Sequence, residues 1–288
     1  RDFFDGRYNI GYWTWELSKC PVTAQQSFKY PDELWAPSEF IRATFASATD
    51  LPVIHMPLAV FKPPFKLKPR GYFGLPPTGF IFLAAFDLSS YIERKNPFGM
   101  IEAFRRAFPN ADQDQVWLVL KFIGHEQQPG EIDRLRQAAR QIKNLILIDT
   151  WFSSDETWAL LDCADAYFSL HRSEGFGRCL AEAMLLNKPV IATGYSGSND
   201  FVRPDTALPI KYKLVSVPLT AYPDAEWQVW ADPDLDDAAA ALVKIYRDVE
   251  LRESIATAGC NFIKTHYNKE AVGNRYKKRL QEIRLLNN

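Results

Sequence analysis

The chain predicts a two-part α/β architecture built on a doubly wound, Rossmann-like parallel sheet, and three observations carry that prediction. First, from residue 80 to residue 193 short apolar runs alternate with helix-period segments, the pattern of strands buried on both faces and joined by crossover helices. Second, prolines at 57, 63, 64, 69, 76 and 77, with Gly71 and Gly74 and no apolar period between them, separate that body from a shorter α/β stretch before it. Third, a glycine-bearing turn, Ser173-Glu174-Gly175-Phe176-Gly177, follows the apolar run 166–170 and opens a helix. Ligands of open α/β sheets bind beyond the carboxyl ends of the strands, which is where this turn falls. The expected organisation is a partial N-terminal unit (1–62), a proline-rich linker (63–78), a ligand-binding domain (79–267) and a terminal helix (268–288).

Composition narrows the class. At 47% hydrophobic and 14% aromatic over 288 residues, the chain can bury one large core or two modest ones. A net charge of -1 with scattered basic residues argues against a nucleic-acid binder. Cys20, Cys163, Cys179 and Cys260 form no CxxC pair and have no histidine at zinc spacing, so they read as reduced thiols. No apolar run is long enough to cross a bilayer and no signal peptide is visible, which predicts a cytoplasmic protein. The opening residue is Arg1, as in a fragment or trimmed chain.

In chain order, residues 8–15 are aromatic and alternating enough to predict a strand, and 33–37 and 53–56 give two further apolar segments. Ser38 is placed to cap a helix over 38–47. In the main domain the predicted strands are 80–85, 116–122, 145–148, 166–170 and 189–193, with helices over 131–142, 155–161 and 177–186. A loop from Phe86 to Pro97 precedes a helix marked by Phe98, Ile101 and Phe104. Residues 205–231 read as irregular. Asp232-Pro233-Asp234 has the letters of a metal-binding DxD motif, but no strand is predicted to lead into it, so Asp234 is read as a helix cap. Helices over 250–264 and 269–286 follow, the last amphipathic through Val272, Tyr276, Leu280 and Ile283. His55, His125 and His266 read as structural, and only His171 lies in the turn motif.

The motif has a definite chemistry. At a helix start the amides of Gly177, Arg178 and Cys179 lack intrahelical acceptors, and with the helix dipole they favour an anion such as a diphosphate. Glycine at 175 and 177 lets a ligand approach the main chain. Glu174 before the helix and Glu182 within it are expected to face one crevice, as hydroxyl acceptors on either side of that anion site. A sugar nucleotide has this layout.

The segment Ser173-Glu174-Gly175-Phe176-Gly177-Arg178-Cys179-Leu180-Ala181-Glu182-Ala183-Met184, followed by Asn187-Lys188-Pro189-Val190-Ile191-Ala192-Thr193 and a glycine-rich turn, resembles the signature of retaining GT-B glycosyltransferases of family 4. The resemblance implies Glu174 at the donor hexose, Glu182 at the ribose hydroxyls and His171 within reach of the donor. It implies Lys95 at the donor diphosphate; Asp87 stands where the family usually has an arginine, leaving Arg94 or the Ser89 and Ser90 hydroxyls as substitutes. It further implies a nucleobase pocket at Thr150, Trp151 and Phe152, and a donor-sugar contact from Gly197, Ser198 and Asp200. The segments 10–17, 32–42 and 52–60 then look like the last third of an acceptor-binding N-terminal domain, in which Trp13, Trp15 and Glu16 are candidate cleft residues. Most of that domain would be missing, and the final helix would cross back to it.

The function so implied is transfer of a hexose from a nucleoside diphosphate sugar to a saccharide or lipid-linked acceptor, with retention of configuration. It needs no cofactor or divalent metal, and any contact with a membrane would be peripheral, through the missing N-terminal part. The alternative is a nucleotide-sugar-binding module without transferase activity of its own. Neither GxGxxG nor GxxxxGK occurs, which disfavours a dehydrogenase or a kinase.

Overall fold

The computed structural model describes residues 4–124 and 129–284. Its N-terminal unit is a three-stranded parallel sheet, β1 (Ile10–Tyr12), β2 (Glu33–Ala36) and β3 (Val53–His55), in that order. Helices α1 (Val22–Gln25) and α2 (Glu39–Ala46) connect the strands. Ser38 caps α2 by accepting from the Ile41 amide at 3.3 Å. The strand predicted over 8–15 is confined to three residues. Trp13 still donates to the Trp35 carbonyl, and the chain then turns away to bury Leu17 against a different core.

The main domain is a six-stranded parallel sheet. Its strands are β4 (Phe80–Asp87), β5 (Val116–Ile123), β6 (Leu145–Asp149), β7 (Ala166–Ser169), β8 (Val190–Thr193) and β9 (Leu208–Ile210), in the order β6-β5-β4-β7-β8-β9. The chain first builds outward from β4 through β5 to β6, then returns to the other side of β4 with β7. The doubly wound fold predicted from the apolar runs is present, and its topological switch point lies between β4 and β7.

Helices cover both faces of the sheet. Alternate residues of β4 explain how: Ile81 and Leu83 face a core shared with α7 (Ser154–Cys163) and α8 (Arg178–Leu185). Phe82 and Ala84 face another, shared with α4 (Pro97–Ala107), α6 (Pro129–Ala139) and α9 (Leu235–Arg247). Short helices α3 (Ile92–Lys95) and α5 (Ala111–Asp114) complete the connections on that side.

The proline-rich segment is a packed strap: Val60, Phe73 and Leu75 enter the first core. Arg70 fastens it by bonding the carbonyls of Cys163 and Gly79 and pairing with Asp165 at 2.7 Å.

Residues 205–231 are not irregular. Beyond β9 they hold most of an antiparallel ribbon, β10 (Tyr212–Ser216) with β11 (Val229–Pro233). A strand therefore does run into Asp232-Pro233-Asp234, contrary to the sequence reading. Asp234 nevertheless caps α9, accepting from the amides of Asp236 and Asp237 at 3.0 Å, and Asp232 pairs with Arg172.

After α10 (Val249–His266), α11 (Lys269–Glu282) lies against the small sheet. The Tyr276 hydroxyl donates to the Pro57 carbonyl at 3.2 Å, and Arg279 pairs with the fully buried Glu33 at 2.5 Å. His125 and residues 285–286 of the last predicted helix lie outside the described residues.

Candidate active site

A cleft of about 160 Å³ opens at the switch point. Ala84, Ala85 and Phe86 line it from the carboxyl end of β4, and Tyr167 and Ser169 from β7. The remaining walls include Lys95, Met100, Glu174 and the first turn of α8.

That turn is built to face outward. Gly177, the residue before α8, has φ 88°, a left-handed conformation that glycine adopts without penalty. A Cβ there would also meet the Leu180 side chain at 2.9 Å. No side chain caps the helix, and the amides of Gly177, Arg178 and Cys179 have no acceptor among the described residues. Three of these cleft-lining positions thus offer N–H donors at the positive end of a helix.

Glu174 faces Lys95 across the cleft, Oε1 to Nζ at 2.5 Å, with Arg94 on its other oxygen at 3.5 Å. Burial would push its carboxyl up, but Lys95 and Arg94 outweigh it and hold the group at about 2. Its main chain is fixed as well, because the Glu174 amide donates to Ser196 Oγ and its carbonyl accepts from Gly197. Glu174 is therefore an ionised, immobile acceptor at ordinary pH.

Glu182 behaves differently. It projects from the second turn of α8, and its nearest cation, Arg178, stands 3.9 Å away. Burial pushes its carboxyl up to about 7, and Arg178 only partly opposes this. It does not line the cleft that Glu174 lines. The two carboxylates flank the same helix start but have opposite environments.

Lys95, Glu174, Gly177, Arg178 and Cys179 come together at the cleft, and the other sequence candidates do not. Arg94 is 3% exposed, bonds the carbonyls of Ser90 and Ser173, and approaches Glu16 at 3.7 Å and Glu174 at 3.5 Å; these protein partners, not a phosphate, occupy it. Ser89 is held by Asp87, which accepts from both its amide and its hydroxyl. His171 is fully buried between Ser169 and Ser198, with ring nitrogens at 3.1 and 3.2 Å from their hydroxyls, and burial lowers it to about 4; its partners, Ser198 included, are protein atoms. Phe176 packs in the core against Phe201 and Tyr267.

Gly175 and Gly197 meet back to back, so close that a Cβ on Gly197 would lie 2.0 Å from the Gly175 carbonyl oxygen. Asp200 turns away to the N-terminal unit, where it accepts from the Glu39 amide at 3.0 Å and approaches His55 at 3.3 Å. Trp151 is 77% exposed and lines no part of the cleft. Sequence reasoning missed Ala84, Ala85 and Tyr167 as cleft walls, having read them only as strand, and Phe86, read as the first residue of a loop, in fact continues β4 into the wall. It also missed Tyr222, whose hydroxyl bonds Glu16 and whose ring faces Arg94; no apolar period in the sequence around it marked it.

Comparison with known proteins falls on the same stretch. The sequence model for glycosyl transferases group 1 matches residues 84–211. That span is under half of the chain, and it runs from the inside of β4 to just past β9, so it contains Lys95, Glu174 and Glu182. No curated protein matches significantly.

Among solved structures, Anabaena HepE in complex with UDP and glucose superposes with a TM-score of 0.68 at 18% identity, covering 91% of this chain and 66% of that one. A glycosyltransferase from Rickettsia africae gives 0.72 at 14%, covering 97% and 71%. Sucrose-phosphate synthase from Thermosynechococcus elongatus gives 0.67 at 19%, covering 91% and 61%. At these identities the likeness is one of fold, and it agrees with the GT-B arrangement of a Rossmann-like domain beside a second α/β unit. The chain spans 66% of the HepE chain's length and 61% of the synthase's.

Proposed function

We propose that this chain carries the donor half of a glycosyltransferase that moves a hexose from a nucleoside diphosphate sugar to a saccharide or lipid-linked acceptor, with retention of configuration and without a divalent metal. The observation that carries the reading is the set of amides at the start of α8 that have no acceptor among the described residues, beside the Lys95–Glu174 pair, in the crevice between β4 and β7. Support also comes from the family match over that stretch and from the UDP and glucose held by HepE.

In this reading the diphosphate sits at the α8 amides with Lys95 beside it. As the bond between the anomeric carbon and the phosphate oxygen breaks, negative charge grows on the leaving diphosphate, where fixed amide dipoles and an ammonium stabilise it most. The acceptor hydroxyl oxygen bonds to that carbon, and its proton passes to a diphosphate oxygen on the same face. Glu174, anionic at ordinary pH, accepts hydroxyls of the hexose and stabilises developing positive charge on the sugar. Glu182 accepts the ribose hydroxyls.

Calorimetry with UDP, GDP, ADP and dTDP hexoses, paired with a transfer assay, tests this. One donor class should bind. Lys95→Met should weaken it by roughly 10–100-fold, and Glu174→Gln should lower transfer by about 100-fold or more with a much smaller effect on binding. Binding without transfer would favour the module that only holds the donor. Failure of every nucleotide sugar to bind would contradict both.

A further inference from the structure

The β10–β11 ribbon carries a feature that the donor cleft does not use. Between its strands, residues 217–228 cross to the N-terminal unit. There the Gln228 side chain clasps the main chain of Lys19, accepting from its amide at 2.8 Å and donating to its carbonyl at 2.9 Å, while Thr23 donates to Asp224 at 3.0 Å. The inner side of this crossing is packed, with Val217, Ala221, Tyr222 and Ala225 in one small core with Leu17 and Trp230. The outer side is open. Trp227 is 79% exposed and Leu219 74%, and with Val22, Gln25 and Ser47 they wall a groove of about 840 Å³ between the two units.

The backbone holds Trp227 outward at a cost. Asp224 has φ 49° and Trp227 φ 60°, a left-handed region that side chains with a Cβ enter only at a steric penalty. A bulky aromatic is an uncommon occupant. Burial of the ring does not offset the penalty, because the ring lies in solvent. Retained strain of this kind belongs where a side chain meets a ligand.

We propose that this groove binds the carbohydrate portion of the acceptor, with Trp227 as the platform for a sugar ring; the word acceptor rests on the sugar-transfer reading above. A sugar ring has an apolar C–H face and a rim of hydroxyls. The groove matches both: the indole supplies a flat apolar plate, and the carboxylates of Asp224 and Glu226 and the Gln25 amide supply hydroxyl partners. A hydrocarbon chain would desolvate those carboxylates without giving them partners. The volume lies in the range of small-molecule sites. The segment that ends in the groove at Lys19 and Cys20 also contains Glu16, which touches Tyr222 and Arg94, and Arg94 in turn approaches Glu174 at 3.5 Å, so one segment ties the groove to the Glu174 pair.

The test is an array of neutral and acidic oligosaccharides probed with the protein and with Trp227→Gly. This substitution removes the ring and relieves the positive φ, so the melting temperature should not fall. Wild-type protein should bind a subset of the glycans, and the variant should lose at least about tenfold of that binding while nucleotide-sugar affinity stays unchanged. Glycan binding retained by a folded Trp227→Gly, or no glycan bound by wild type, overturns the proposal. A Trp227-dependent glycan signal in a protein that binds no nucleotide sugar supports the carbohydrate groove and overturns the donor reading alone.

Discussion

The two glutamates around the start of α8 titrate in opposite directions, and this gives the site its pH signature. Glu174 is held at about 2, below the ordinary 4.5, so its pairing contributes stability that is complete above pH 4.5 and is lost as pH falls toward 2. Glu182 is raised to about 7, so the folded protein loses stability as pH climbs from 4.5 to 7. Replacing Glu182 with glutamine should therefore stabilise the protein by about 1–3 kcal/mol above pH 7 and by little at pH 4, as read by denaturant melts across that range. Hydroxyls bind the ionised carboxylate better, so donor affinity should fall as pH drops below about 7, and Glu182→Gln should flatten that dependence; an unchanged profile would remove Glu182 from the ribose. The sequence disclosed which residue types stand here and at what spacing. It could not disclose that Arg94, His171 and Asp200 are satisfied by partners 79, 27 and 161 residues away.

At the scale of elements, the site depends on two loops that touch through glycine. Gly197 opens the turn after β8 against the Gly175 carbonyl, and the same turn supplies the amide and hydroxyl that fix Glu174. Gly197→Ala should force the loops apart, costing about 1–3 kcal/mol and lowering transfer, while a neutral result would mean the loops are not coupled. Strands buried on both faces were legible because continuous apolar runs have few other readings: β4, β5, β7 and β8 were found within a few residues. The β10–β11 ribbon was missed for the converse reason. Four of the five β10 residues are exposed, so no apolar face is written into it. A three-residue strand such as β9 is too short to show a period.

For the whole molecule, the decisive ties join segments far apart in sequence. Glu33 is fully buried in β2 and accepts from Trp35 as well as from Arg279 of α11, 246 residues away. Truncating Arg279 to methionine should destabilise the protein by roughly 3 kcal/mol by stranding a buried carboxylate, whereas the double change with Glu33→Met should cost less; equal losses would show that the pair itself matters little. Such ties, with Ser38 on Gly175 and Glu39 on Asp200, bring the small unit to the rim of the cleft. They explain why a sequence that announced its α/β class and its glycine-bearing turn gave no sign of the groove between the units. None of the described helices is long and apolar enough to cross a membrane.

The most direct test is a crystal structure with the nucleoside diphosphate that calorimetry selects. The diphosphate oxygens are predicted within about 2.7–3.2 Å of the Arg178 and Cys179 amides, with Lys95 beside them and the ribose toward Glu182. A ligand bound elsewhere, with those amides left to solvent, would contradict the account.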